Sequence, residues 1–235
     1  RMILSAAGRL EHEALVELAT QQFTELPRDG VAVEEPAVYH GGDIREEREL
    51  EQVHVMLGFN GIGYQDPDDY TASVLSTLLG GGASSRLFQE VREKRGLVYS
   101  IYSYTSSYQD GGLFAVYAGT GEDEVEELIP LVCEEIMKVT LAVTPEEVHR
   151  ARAQLKASVL MSLESTSSRC EQLARQLFIY GRPIPTEELV AHIEQVDEAA
   201  VLRVARRLFT TPPTFAALGP LAKVEGFESI CGRLG

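Results

Sequence analysis

Two strand-forming runs joined by a tight turn constrain this chain more than any other feature. Residues 97–107 are dense in Tyr and Ser, residues 112–119 form a second run, and Gln109-Asp110-Gly111-Gly112 connects them as a hairpin turn. A connection this short joins antiparallel neighbours, because parallel strands need a crossover of a dozen or more residues. A purely parallel, doubly wound sheet is therefore disfavoured. Elsewhere, residues 52–59 read as a strong strand with Val53, Val55, Leu57 and Phe59 on one face. Residues 41–51 are charged and fit an edge strand, residues 2–7 read as a buried strand, and residues 214–218 as a final strand.

Helical periodicity fills most of the remainder. Residues 11–26 carry Leu15, Leu18, Ala19, Gln22, Phe23 and Leu26 at helical spacing, and a loop is expected over 27–36. Asp66-Pro67-Asp68-Asp69 is a helix start, with acids near the positive end of the dipole, and that helix should run to about Leu79. Gly80-Gly81-Gly82 stops it, and Ser84 or Ser85 caps a short helix ending near Arg95-Gly96. Residues 122–139 place Val125, Leu128, Ile129, Val132, Ile136 and Val139 on one stripe. Thr144-Pro145-Glu146-Glu147 opens a long helix with a capping-box pattern, and further helices fit 167–180, 186–195 and 198–208. No internal repeat or composition break marks a linker. Adjacent strands mixed with helices predict an α+β fold: a mixed, mostly antiparallel sheet packed against several helices, in one domain spanning residues 1–235.

Composition bounds the function classes. The formal charge of -15 disfavours nucleic acid, whose binding rests on neutralising phosphates, and suits solubility or the steering of basic peptides. No apolar run approaches the ~20 residues that span a bilayer, so no membrane partner is expected. No basic segment followed by an apolar stretch opens the chain, so no signal peptide is read there. Cys133, Cys170 and Cys231 are odd in number and far apart, which favours reduced packing cysteines over disulfides or a cysteine zinc site.

Candidate chemistry is sparse. His12, His40, His54, His149 and His192 form neither H-E-x-x-H nor H-x-x-E-H, so no metal site is expected in this chain. G-x-S-x-G is absent too. Gly80-Gly81-Gly82 before a capped helix invites a phosphate-loop reading, but it lacks the G-x-x-x-x-G-K-[ST] pattern and follows a helix rather than a strand. It reads better as a turn between helices. Arg92 near the end of the short helix and Tyr99 at the start of the next strand could both donate to one carbonyl oxygen, though chemistry alone favours a solvated arginine and a half-buried tyrosine.

The stretch from Leu79 to Ser100 changes that weighting. Leu79-Gly80-Gly81-Gly82, Ser84-Ser85-Arg86-Leu87-Phe88, Glu90-Val91-Arg92-Glu93-Lys94-Arg95-Gly96-Leu97-Val98-Tyr99-Ser100 and the later Gly111-Gly112-Leu113-Phe114 resemble the second, non-zinc half of insulinase/pitrilysin-family zinc peptidases, in particular bacterial relatives of the mitochondrial processing peptidase. Glu46-Glu47-Arg48, Leu50-Glu51-Gln52 and Thr144-Pro145-Glu146-Glu147 extend the likeness over essentially the whole chain. The resemblance implies an N-terminal zinc-binding half, of ~200 further residues, that holds zinc on H-x-x-E-H; it is absent from this chain. It also implies a pair of chamber-facing donors seven residues apart, which Arg92 and Tyr99 match in identity and spacing.

The leading expectation is a substrate-binding, chamber-closing half of a zinc metalloendopeptidase, inactive alone. Gly80, Gly81 and Gly82 would grip an extended peptide, and Arg92 and Tyr99 would support it or the oxyanion. The alternative is a non-catalytic scaffold or substrate-recognition subunit; a nucleotide-binding protein is a third reading. Partners would be the zinc half or a homologous subunit, with an exposed apolar surface open to homodimerisation. The compartments that fit are the bacterial cytoplasm first, then the mitochondrial matrix or periplasm.

Overall fold

The computed structural model describes residues 2–25 and 35–235. In chain order the elements are α1 (His12–Gln22), β1 (Gly42–Glu47), β2 (Val53–Asn60), α2 (Asp69–Gly80), a π-helical turn (Phe88–Glu93), β3 (Val98–Ser107), β4 (Gly112–Thr120), α3 (Val125–Leu141), α4 (Pro145–Ser162), α5 (Thr166–Tyr180), α6 (Thr186–Glu194), α7 (Glu198–Phe209), β5 (Thr214–Gly219) and α8 (Phe227–Leu234). They fall into two compact units. The larger comprises Val38–Ser158 and Pro185–Gly235; the smaller comprises Arg1–Ala37 and Val159–Ile184.

The larger unit is built on a five-stranded sheet in the order β1-β5-β2-β4-β3. β3 and β4 form the expected antiparallel hairpin, β2 pairs antiparallel with β4 and β5, and only β1 with β5 is parallel. The fold is α+β with a mostly antiparallel sheet, as the hairpin signature predicts. The last strand enters the middle of the sheet, between β1 and β2. Side chains explain the sorting. β5 alternates buried Phe215 and Ala217 with half-buried neighbours and needs partners on both edges. β1 carries Asp43, Arg45, Glu46 and Glu47, charges that suit an edge and discourage further pairing.

One face of the sheet forms the core. Val53, Val55, Leu57 and Phe59 of β2 are buried beside Phe114, Val116 and Ala118 of β4 and Phe215 and Ala217 of β5. The facing helices contribute Leu75 and Leu79 of α2, Leu128 and Ile136 of α3, and Val201, Val204 and Leu208 of α7, all buried. Phe209 meets Phe59 and Phe114 edge-on at centroid distances of 4.9 and 5.2 Å, a favoured aromatic geometry. Three ion pairs tie α7 to the turn before α2, among them Arg207 to Asp68 at 3.4 Å. Arg203 forks onto Asp68 at 2.5 and 2.8 Å, and Arg207 reaches Asp66 at 2.7 Å. The Arg207 bond holds the Asp66 carboxyl below its usual range.

Local expectations hold with instructive exceptions. The capping box is present: Glu147 N–H donates to Thr144 Oγ1 at 3.3 Å, and Thr144 N–H donates to Glu147 Oε2 at 2.8 Å. Asp66-Pro67-Asp68 forms a turn rather than the first helical turn, because the carboxylates of Asp66 and Asp68 are drawn to Arg207 and Arg203. α8 has no counterpart among the sequence expectations. Its apolar signal, Ile230 and Leu234 behind Gly226, is short.

In the smaller unit, residues 2–7 form no strand; they have no ladder partner among the described residues. Ser5 instead donates from Oγ to the Cys170 carbonyl at 2.8 Å, and the Cys170 thiol donates to the Ser5 carbonyl at 3.1 Å. Ser165 caps α5 by accepting from Ser168 N–H at 3.3 Å, and Gly181 ends it at a φ of 71°. α1 follows the expected helix but buries no residue. Leu26 and residues 27–34 of the expected loop lie outside the described residues.

Candidate functional site

The glycine segment is positioned by close packing. An added Cβ on Gly80, the last residue of α2, would lie 2.5 Å from the Ser103 backbone nitrogen of β3, so only glycine lets the helix end meet the strand. Ser103 Oγ, buried there, donates to the Ser76 carbonyl at 2.8 Å. Gly81 caps α2, and the loop beyond it is pinned from three sides. Gln154 Nε2 donates to the Gly81 carbonyl at 2.6 Å, Ser85 Oγ to the Gly82 carbonyl at 2.6 Å, and Gln89 Nε2 to the Ala83 carbonyl at 2.6 Å. The N–H groups of Gly82, Ala83 and Ser84 donate to no acceptor among the described residues. A fixed loop with spare donors can hold carbonyl oxygens.

Arg86 anchors the helix that follows. Its guanidinium forks onto Glu147 at 2.7 and 2.9 Å and donates to the Ala142 carbonyl at 2.8 Å. Burial pushes the Glu147 carboxyl up, but the Arg86 fork and the two Thr144 bonds outweigh it and hold the group below its ordinary value. This pair locks the glycine loop to the start of α4.

The short helix is π-helical over Phe88–Glu93, a geometry that recurs at functional sites. Arg92 lies on it, exposed, with its guanidinium 4.9 Å above the Phe88 ring. The chain then turns back: Gly96 N–H donates to the Arg92 carbonyl at 3.0 Å, and Leu97 N–H to the Val91 carbonyl at 3.1 Å. Tyr99 follows in the register shift between Val98 and Ser100 of β3, the sheet's outer strand, and is 67% exposed. Neither the Arg92 guanidinium nor the Tyr99 hydroxyl has a hydrogen-bond or ion-pair partner among the described residues. Gly80 packs against the same strand four residues further on, at Ser103, roughly 13 Å along it. The glycine loop, Arg92 and Tyr99 are thus all gathered around β3.

Sequence reasoning missed the polar and aromatic face of the sheet opposite the core. His54 Nδ1 lies 2.7 Å from the Tyr117 hydroxyl, Tyr102 stacks at a tilt on Tyr117 at 4.9 Å, and the Tyr104 hydroxyl reaches Met56 sulfur at 3.7 Å. The signal was available: His54 and Met56 alternate with the core residues of β2. The other histidines are dispersed. His192 stacks on Tyr70 at 5.0 Å, while His12, His40 and His149 are exposed. Among the described residues no group of three His, Cys, Asp or Glu side chains could hold a metal ion. No helix among them is long and apolar enough to cross a membrane.

Known proteins resemble the chain over most of its length. An uncharacterised zinc protease of Rickettsia felis is 36% identical over 220 residues, covering 93% of this chain and 53% of the relative. The uncharacterised zinc protease YmxG of Bacillus subtilis is 33% identical over 223 residues, covering 94% and 54%. The mitochondrial-processing peptidase subunit beta of Rattus norvegicus is 32% identical over 248 residues, covering 100% and 50%. The chain thus spans about half the length of the curated relatives it matches. In solved structures the fold recurs in a chain of complex III2 from Candida albicans with Inz-5 bound, at a TM-score of 0.86 and 19% identity over 97% of this chain and 57% of that one. The family model described as the Peptidase M16 inactive domain matches residues 1–155, and the chain belongs to that family.

Proposed function

We propose that this chain is the substrate-holding, chamber-closing half of a zinc metalloendopeptidase and that its metal centre lies in a separate, N-terminal half or a homologous subunit. The observation that carries the reading is that Arg92 and Tyr99, both exposed with unpartnered donors, flank the start of β3, the same strand on which the pinned loop with three spare N–H groups is seated through Gly80. A guanidinium and a phenol acting on one peptide carbonyl would hold the substrate and favour negative charge developing on its oxygen. The loop of Gly81 and Gly82 would grip an extended peptide through its spare N–H groups, with Gly80 seating the end of α2, from which the loop departs, against β3. The family's inactive-domain label agrees with a peptidase-associated or scaffold role for this chain.

Steady-state kinetics of the full-length protein on an internally quenched peptide test this. Arg92→Ala and Tyr99→Phe should each lower kcat by on the order of 10²–10³ if the donors act on the developing oxyanion. They should raise KM with kcat nearly unchanged if they only hold the ground state. Lys94→Ala, on the same turn but paired with Glu90, is the control; Arg86 is unsuitable because it holds Glu147. Kinetic constants within twofold of wild type for both variants would refute the site. A folded full-length protein with no peptidase activity would favour the scaffold reading.

A further inference from the structure

The strand pairing fixes which side chains share the sheet face opposite the core. One row across the five strands is Ile44, Ala216, Met56, Tyr117 and Tyr102. The row on one side of it is Glu46, Leu218, His54, Gly119 and Ser100; the row on the other is Gly42, Thr214, Gly58, Ala115 and Tyr104. The rings gather at the β4–β3 end. Tyr102 lies 4.9 Å from Tyr117 at an interplanar angle of 33° and 6.1 Å from Tyr104 at 41°, and His54 stacks on Tyr117 at 6.1 Å and 24°. Polar contacts hold the cluster in shape: His54 Nδ1 is 2.7 Å from the Tyr117 hydroxyl, and the Tyr104 hydroxyl donates to Met56 sulfur at 3.7 Å. Tyr102 is left 45% exposed, and its hydroxyl has no partner among the described residues. Next to the cluster the floor is low: a Cβ on Gly58 would meet nothing nearer than the Thr214 Cβ at 3.7 Å. The three rows hold no Lys or Arg.

We propose that Tyr102, with Tyr117 and Tyr104 beside it, is a binding subsite for an arginine side chain of an extended peptide, on the sheet face away from the helices. Charge complementarity selects the ligand. The face of a tyrosine ring is electron-rich and attracts a cation. No resident cation competes for it in these rows, and the chain's net charge of -15 draws basic groups in. A guanidinium fits better than an ammonium, because its plane lies flat on a ring while its N–H edge donates outward, here to the free Tyr102 hydroxyl. Continuity with the candidate site selects the form of the ligand. Tyr102 lies three residues beyond Tyr99 on the outer strand β3, roughly 10 Å along it. An extended chain covers that distance in about three residues. A peptide held at Tyr99 therefore sets its arginine about three residues from the held carbonyl; this spacing rests on the peptidase reading, whereas the arginine subsite itself does not.

Titration of the 235-residue chain, whose larger unit holds every residue of the subsite, tests it. The probes are acetylated, amidated pentapeptides of alanine with arginine, citrulline or phenylalanine at the centre, followed through the tyrosine ring signals by NMR. Citrulline keeps the planar shape and removes the charge. The arginine peptide should move the Tyr102 ring signals and bind about 5–30-fold more tightly than the citrulline peptide. Tyr102→Leu should bring that ratio to about one, and Tyr102→Phe, which keeps the ring, should preserve most of it. Tyr108→Leu, in the β3–β4 turn and 57% exposed, should leave it unchanged. Equal affinity for arginine and citrulline in the wild type overturns the proposal. So does tighter binding of phenylalanine, which makes the face an apolar one, and so does a preference that survives Tyr102→Leu. The titration involves no turnover. Loss of the arginine preference therefore overturns the subsite and leaves the peptidase reading standing, whereas a full-length protein that hydrolyses nothing while the preference persists does the reverse.

Discussion

Gly80→Ala isolates the contact on which the glycine segment depends. The added methyl carbon would lie 2.5 Å from the Ser103 nitrogen, 2.7 Å from Ser103 Oγ and 3.0 Å from the Tyr102 carbonyl carbon. Two of those neighbours are backbone, so no rotamer change relieves the overlap. α2 and β3 must separate by about 1 Å to restore ordinary contact, which also stretches the Ser103–Ser76 hydrogen bond. Overpacking of this kind costs about 1–3 kcal/mol. Alanine's better helix propensity returns less than the ~1 kcal/mol of a helix interior, because Gly80 is the last helical residue. The net loss, about 0.5–2.5 kcal/mol, corresponds to a melting temperature lower by about 1–10 °C. Urea unfolding followed by far-UV circular dichroism should show a lower midpoint at unchanged slope. Gly232→Ala, inside α8 with open space around it, makes the same chemical change and should stabilise by about 0.5–1 kcal/mol. If Gly80→Ala is as stable as wild type, close packing is not why glycine stands there.

The Glu147 carboxyl is held below its ordinary 4.5, so its contribution is complete above that value and lost as pH falls through the depressed one. Glu147→Gln should therefore lower the melting temperature most at neutral pH, with the gap to wild type closing in acid; a constant gap from about pH 7 to 2 contradicts the assignment. Burial pushes the Cys133 thiol up to about 12, so native-state alkylation near pH 8 followed by mass spectrometry should spare Cys133, and its modification before unfolding would contradict the packing described. Asp68→Ala should cost about 1–2 kcal/mol through loss of its fork to half-exposed Arg203. It should be non-additive with Arg203→Met in a double-mutant cycle, and additive losses would show that the pair is not coupled.

Most of the fold was legible because strong periodicities and local signals agreed. The β3–β4 turn, the Val53–Phe59 alternation, the Thr144 capping box and the α3 stripe each appear as expected. What the sequence hid is non-local. β1 and β2 are neighbours in the chain, yet β5 lies between them, and no local pattern encodes that insertion. Residues 2–7 have the composition of a buried strand but no strand partner among the described residues, since composition reports a tendency to pair and not with what. The proposed site was legible by residue type only. Arg92 and Tyr99 stand out through resemblance, while the π-helical geometry under Arg92 and the collision that fixes Gly80 depend on atoms distant in sequence.

The position of β5 also sets a timetable for synthesis. β2 leaves its β5-facing edge unpaired until residues 214–219 exist, about 150 residues later. At 5–20 residues per second that interval is roughly 8–30 s. For that time the nascent chain presents an apolar strand with an open edge, the template most prone to pairing with a stranger. Folding of this sheet is therefore completed only once residues 214–219 have been made, and until then the growing chain depends on whatever shields that edge.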